Sequence, residues 1–528
     1  LSLTCFTWAS SVCLALPSVP AAQSGFVEVD YPNSRTMVIK PSDGAILHYE
    51  DFQVGPGEEV RFIQKDSSCV LHRITGENPS QILGALDSNG KIVFVNPNGI
   101  HIGSDSKVDA GSLVVSTLDI SSKNFLKKND RFDLLRGKKF SIVVDGALRA
   151  KEGSIVLLAP HIRNLGSIKA LHGSVSLGSG NQAQFNGANL SVSGSLKEGL
   201  IEQLGSIQAL EVFTKLPVDT KSITDRGETH KLFVGEYGEA IFGSASNTKA
   251  EKVCVEGSFI SIKGSIDATN AFDKGGAVYL FGKDISLEGA KIDSSGLLAG
   301  GKVLIGGEFQ GKGLTAYAST VFMDEASTIL ANGYEADGGL VVLWSQDRTQ
   351  FEGKIFAQSS AKEGTGGLVE TSSKGKLEVF TGKVDTFGSK EIGEWLLDPH
   401  FIKIVSSGSN PSYSDGVYGN CDNKDTWNFP ASAFLNLQSS LTLTSYCGTI
   451  ITSDFTVTTA PNYPKANVTF TSCSTSSAWG TCAATFSGGD TINPSQGIIQ
   501  LPNNGTITMR TDGDRSIFLR RSGLKVLL

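Results

Sequence analysis

Histidine and methionine are scarce, at 7 and 3 among 528 residues. The histidines (His48, His72, His101, His161, His172, His230 and His400) are scattered, with no H-x-H or H-E-x-x-H pair, so a zinc hydrolase has no support. No G-x-S-x-G elbow and no P-loop is present. The calcium-binding G-G-x-G-x-D nonapeptide is also missing. Charge is modest, with 46 Lys and Arg against 53 Asp and Glu and a net charge of −7. No charge run is long enough for a basic tail or a polybasic membrane anchor, and nothing points to nucleic acid. After residue 22 no apolar segment is long enough to span a bilayer. Long 3.6-residue periodicity is absent too, which disfavours helical solenoids. Among the eight cysteines there is no CxxC pair, and no histidine lies among the last four, so a zinc site is not expected.

Glycine is abundant: 60 of the 528 residues, well above the ordinary share of about 7%. No strict Gly-X-Y period exists, so the chain is not collagen. Hydrophobic residues make up 40%, too many for a chain disordered throughout. The glycines separate short Val/Ile/Leu-rich runs. Between residues 23 and 145 these runs include Phe26–Val29, Ala45–Tyr49, Glu59–Ile63, Val70–Ile74 and Lys91–Val95. Gly55-Pro56-Gly57, Ser88-Asn89-Gly90 and Pro97-Asn98-Gly99 break them with turn chemistry. Ser112 to Leu126 is open between a short helix and a pair of strands.

From residue 146 the sequence repeats. Gly146 to Leu157 aligns without gaps on Gly166 to Leu177. A looser form follows, in which Gly275-Gly276, Gly300-Gly301, Gly338-Gly339 and Gly366-Gly367 each precede a valine by two positions: Val278, Val303, Val341 and Val369. Units of 20 to 30 residues with alternating apolar positions predict a parallel β-helix. Inward side chains then stack on the same position one rung away, at the ~4.8 Å spacing of a sheet. Glycines at the corners permit positive φ and close backbone approach.

The first 22 residues carry no charge. Leu3 to Leu16 is apolar or small, and Val19-Pro20-Ala21 offers a small-residue cleavage site, so 1–22 reads as a signal peptide truncated at its start. Export would remove Cys5 and Cys13 and would permit disulfides among Cys421, Cys447, Cys473 and Cys482, with no pairing deducible. Asp267, Asp293 and Asp385 fall at similar repeat positions. They are a candidate carboxylate ladder for a polysaccharide lyase or hydrolase, and the plainer reading is exposed turn aspartates. Residues 215–250 interrupt the repeat as a protruding hairpin or loop, or as a linker.

The sharpest local signal is Asn96-Pro97-Asn98-Gly99, set between the run Lys91–Val95 and Ile100-His101-Ile102. Before it lies Gly76-Glu77-Asn78-Pro79-Ser80-Gln81-Ile82. After it come Ala110-Gly111 and Ser116-Thr117-Leu118-Asp119-Ile120-Ser121. Gly300 to Gly307, Val342 to Ser345, Gly366 to Glu370 and Leu396-Leu397-Asp398-Pro399 extend the set. Taken in order over about residues 25–405, these motifs resemble the filamentous haemagglutinin family, the exported partner in two-partner secretion (TPS).

The resemblance implies an all-β, right-handed parallel β-helix with an N-terminal secretion and capping domain. It implies a partner, an outer-membrane transporter with periplasmic domains, and assigns secretion-partner recognition or domain folding to Asn96, Pro97, Asn98, Gly99, Thr117, Asp119 and Ser121. The second asparagine motif common in the family is not clearly present, Tyr31-Pro32-Asn33-Ser34 being a poor match. The expected organisation is a signal at 1–22, a secretion domain at 23–214, an extra-helical loop or linker at 215–250, β-helix repeats at 251–405 and a Ser/Thr-rich cysteine-containing β region at 406–528. The expected role is a secreted or surface-exposed adhesin of a Gram-negative bacterium. It would be no enzyme, would carry no cofactor or metal, and would have a host or neighbouring-cell receptor, carbohydrate among the candidates. The alternatives are the β-helix lyase or hydrolase and the delivery stalk of a contact-dependent toxin.

Overall fold

The computed structural model describes residues 16–398 except 134–139, 187–188, 194–198, 217–219, 226–227, 234–237, 314–315 and 380; side chains are also left out at 186, 189, 220–225, 228–233 and 316. Beyond 398 it describes only the backbone of strand segments between 401 and 511. The described chain is nearly all strand, as a parallel β-helix. It divides into two compact units, one of residues 1–194 with 205–209 and one of 195–204 with 210–528.

In the first unit each rung contributes strands to three parallel ladders. Lys91–Val95 pairs with Ser112–Ser116, which pairs with Ile155–Leu158. Ile100–Ile102 pairs with Ser141–Val144, and Lys107–Ala110 with Ala147–Ala150. The repeat read from sequence is the physical one: Leu148 lies beside Ile168, Ile155 beside Val175 and Leu157 beside Leu177. These inward side chains are fully or nearly fully buried. Each contributes roughly 1.5–3 kcal/mol of apolar burial. Two antiparallel pairings terminate the stack at its N-terminal edge: Val27–Asn33 with Thr36–Pro41, and Ala21–Ser24 with Ile46–Tyr49. Reversing direction there ends the parallel template, the usual protection for a sheet edge.

Ser112 to Leu126 resolves into a strand, Ser112–Ser116, and a short helix, Ser122–Leu126. The helix belongs to an excursion between two strands of one rung. Together with a three-stranded antiparallel sheet (Arg131–Asp133, Gln182–Asn186 and Asn189–Ser193) it covers the outward face of the coil. Leu71, Val93, Val114 and Val156 form a row on that face, one per rung, and Phe125, Phe132, Ala183 and Leu190 bury it.

In the second unit Val253, Val278, Val303, Val341 and Val369 stack in one inward row. Ile266, Ile292, Ile329, Ile355 and Val384 form another. The paired glycines that lead the valine strands do not have positive φ. Their service is close approach alone, which corrects the dual role expected of them. Within 215–250, Thr220–Asp225 and Glu228–Phe233 form an antiparallel hairpin whose second strand pairs with Ala316–Met323.

Candidate functional site

Asn96, Pro97, Asn98 and Gly99 form a corner between two sheets of the first unit, and all four are buried. The Asn96 N–H still belongs to the ladder, donating to the Ser116 carbonyl at 3.0 Å. Pro97 then fixes φ, and the Gly99 N–H closes the turn on the Asn96 carbonyl at 3.2 Å. Gly99 has φ +112°, a backbone that only glycine adopts without strain.

The two amide side chains face inward and backward along the coil. Asn96 Nδ2 donates to the Asn78 carbonyl at 3.0 Å and to Ser80 Oγ at 2.9 Å. Asn96 Oδ1 accepts from the Asn98 N–H at 2.9 Å, and Asn98 Nδ2 donates to the Gly76 carbonyl at 2.8 Å. The Ser80 N–H returns a bond to the Gly99 carbonyl at 3.0 Å. The motifs at 76–80 and 96–99 are therefore one object, a corner clamped to the corner of the preceding rung. Buried backbone groups at an irregular corner need such partners, because an unmade bond costs about 1–3 kcal/mol.

Thr117, Asp119 and Ser121 lie on the excursion that leaves the coil one rung later. Thr117 is buried, with Oγ1 donating to the Phe140 carbonyl at 3.4 Å. Ser121 caps the short helix by accepting from the Asn124 N–H at 3.2 Å. Asp119 Oδ1 accepts from Arg73 Nε at 2.9 Å and from the Ile120 N–H at 2.9 Å. Sequence reading missed Arg73. Its guanidinium also reaches the Ile120 carbonyl, Ser122 Oγ and His48 Nε2, so one side chain ties the excursion to the coil. Burial, and then the neighbouring Arg73 charge, lowers the His48 pKa. Asp119→Ala is expected to cost about 2 kcal/mol, the scale of a lost hydrogen bond to a charged group. Chemical denaturation should show an earlier midpoint, and Asp119→Asn should recover part of it.

The remaining candidates do not converge on a reacting centre. Asp267 and Asp293 do sit side by side on adjacent rungs, but Leu330 and Phe356 stand between them and Asp385. Each aspartate caps its own turn: Asp267 accepts from the Thr269 N–H, Asp293 from Ser295 and Asp385 from Phe387, all at 3.0 Å. Asp267 is also paired with Lys249 at 2.7 Å. His72 is fully buried beside Phe62, with Nδ1 3.0 Å from the Tyr49 hydroxyl, and burial lowers its pKa to about 3. That ring is neutral core. Among the described residues no group of His, Cys, Asp and Glu is arranged to hold a metal ion. Cys421, Cys447 and Cys473, the side chain of Cys482 and most of the signal segment lie outside what is described.

Residues 34–216 match the family model of the TPS secretion domain. The chain carries a TPS secretion domain. The clamped corner and the Arg73 tie lie inside the matched region. A heme/hemopexin-binding protein of Haemophilus influenzae is 28% identical over 198 residues, 36% of this chain and 22% of that protein. A second Haemophilus influenzae protein of the same description is 35% identical over 98 residues, 18% of this chain and 11% of the relative. The chain thus spans about a fifth or less of the length of these curated relatives. Among solved structures, the HMW1 secretion domain from Haemophilus influenzae superimposes with a TM-score of 0.56 at 28% identity, over 72% of this chain and all of that one.

Proposed function

We propose that the chain is an adhesin-like surface or secreted protein of a Gram-negative bacterium. On this reading it is exported through the periplasm by an outer-membrane pore whose periplasmic domains receive the secretion domain. We further assign Asn96–Gly99 to folding that domain, not to touching the pore. The observation that carries this assignment is burial: a corner with all four residues inside the coil offers a partner little surface.

The coil suits such export physically. No ATP is available outside the inner membrane. A chain that folds rung by rung at the cell surface is drawn outward, because each new rung buries apolar area and pairs the previous edge. The antiparallel cap supplies a first edge that does not recruit stray strands. The capped turns of Asp267, Asp293 and Asp385 support a scaffold role over a lyase or hydrolase. The haem or haemopexin binding named for the relatives is not carried over to this chain, because the aligned segments cover so little of them.

Deleting Asn96–Gly99 in a cell that expresses the pore partner tests the export reading. The deleted protein should remain periplasmic and be degraded. Surface delivery at the normal level would overturn it.

A further inference from the structure

In the second unit, Gly306–Gly313 leaves the coil between the strands Lys302–Ile305 and Ala316–Met323. It folds back over an outward apolar face made by Leu304, by Val342 beside it on the next rung and by Trp344 two residues further along that strand, with Tyr317 packed on Trp344 at a ring distance of 4.5 Å. The backbone of this segment is costly. Gln310 has φ +56° without being glycine, and Gly306, Gly311 and Gly313 also have positive φ. A Cβ on Gly311 would lie 2.6 Å from the Trp344 ring, so the segment presses directly on the indole.

One polar side chain stands in this apolar setting. Glu370 takes the position next to Val342 in the outward row, and Leu396 follows it on the next rung. It is fully buried. Glu370 Oε2 accepts from the Gln310 N–H at 2.7 Å, and Oε1 has no partner. The non-glycine left-handed residue of the excursion is thus the one that Glu370 holds.

We propose that Glu370 is a pH-sensitive latch that keeps Gly306–Gly313 closed over the Leu304, Val342 and Trp344 face while it carries a proton. Burial is the main cause that raises the Glu370 pKa, to about 8, and Asp398 adds to it. The Gln310 N–H, the Ser372 hydroxyl and Lys312 act in the opposite sense without cancelling it. Lys312 turns its amine to Gln310 Oε1 at 2.7 Å, and Glu308 is the other charged group on the excursion.

An opened segment would return Glu370 to water and to its ordinary value of 4.5. Between about 4.5 and about 8 the closed form keeps a proton that the open form releases, so rising pH favours opening. Below that window the latch is at full strength. Above it both forms are ionised and the dependence ends. The device therefore tightens in acid and loosens toward neutral and alkaline pH, uncovering an apolar strip.

Hydrogen–deuterium exchange on the full chain, corrected for the intrinsic pH dependence of amide exchange, tests this. Protection of Gly306–Gly313 should fall by about tenfold per pH unit between pH 5 and 8 and level off above, while the strand Ala277–Leu287 stays protected. In Glu370→Gln, which keeps an acceptor and cannot ionise in this range, protection of the segment should be flat with pH. A flat wild-type profile overturns the latch, and so does a Glu370→Gln profile that slopes like the wild type. The wild-type titration decides the matter alone if the variant fails to fold.

Discussion

Asn96→Ala is expected to destabilise the secretion domain by about 3–5 kcal/mol and to abolish export with it. The substitution removes the two donors to Asn78 and Ser80 and the acceptor for the Asn98 N–H, all in a corner closed to water. Each buried group left without a partner costs about 1–3 kcal/mol, less whatever the corner recovers by relaxing. A domain of ordinary stability has only about 5–15 kcal/mol to lose. Asn98→Ala should cost less, since its main inter-rung bond is the one to the Gly76 carbonyl. Urea denaturation would show both midpoints shifted, with Asn96→Ala lower. The export assay gives the discrimination. A turn that acts as a contact surface predicts lost export at unchanged stability. A turn that folds the domain predicts that melting and export fall together, and full export of a strongly destabilised Asn96→Ala chain would sink the folding assignment.

The coil itself was legible because its physics repeats in the sequence. The alignment of Gly146–Leu157 on Gly166–Leu177 is the register of Leu148 beside Ile168 and Leu157 beside Leu177. The valine two positions after each glycine pair is the buried column from Val278 to Val369. The carboxylate ladder was half legible. Asp267 and Asp293 are neighbours, but equal repeat position does not specify how many rungs intervene, and two apolar rungs separate them from Asp385.

The excursions were harder to read. A strand that faces core on one side alternates, whereas Ile92–Val95, Leu113–Val115 and Ile155–Leu158 are continuous apolar runs. Such runs mark strands buried on both faces. They fit the second layer that the structure places over Leu71, Val93, Val114 and Val156, but they do not say which residues supply it. Phe125, Phe132 and Leu190 come from three separated segments, and a non-local contact leaves no period. Arg73 was invisible for the same reason, since its partner Asp119 lies 46 residues away. Glu370 stands between Val342 and Leu396 in its ladder, and nothing in the local sequence marks it as the contact of an overlying segment.

Gly366→Ala should cost about 3 kcal/mol or more, at or above the upper end of ordinary overpacking. An added Cβ would lie 1.8 Å from the Thr386 carbonyl oxygen and 2.5 Å from the Gly393 nitrogen. Both are backbone atoms of the next rung and cannot rotate away. The pattern holds for every pair that leads a valine strand. The first glycine meets the following rung (Gly275 at Ser294, Gly300 at Ala331, Gly338 at Ala357), with the carbonyl oxygen 1.9–2.2 Å from the added Cβ. The second meets the preceding rung, Gly301 at Gly276, Gly339 at Gly301 and Gly367 at Gly339, again within 2.2–2.3 Å. A glycine pair is thus the contact by which one rung seats between two others, and alanine there forces rungs apart. Gly289→Ala is the control. Gly289 is exposed, has φ +68° and has nothing within 4 Å of an added Cβ, so only the left-handed backbone opposes alanine, at about 1–2 kcal/mol. Thermal melting should rank Gly366→Ala well below Gly289→Ala, and limited proteolysis should cut first within 366–393 in Gly366→Ala. Equal losses in the two variants would mean that backbone conformation, and not the spacing between rungs, is what selects glycine in this coil.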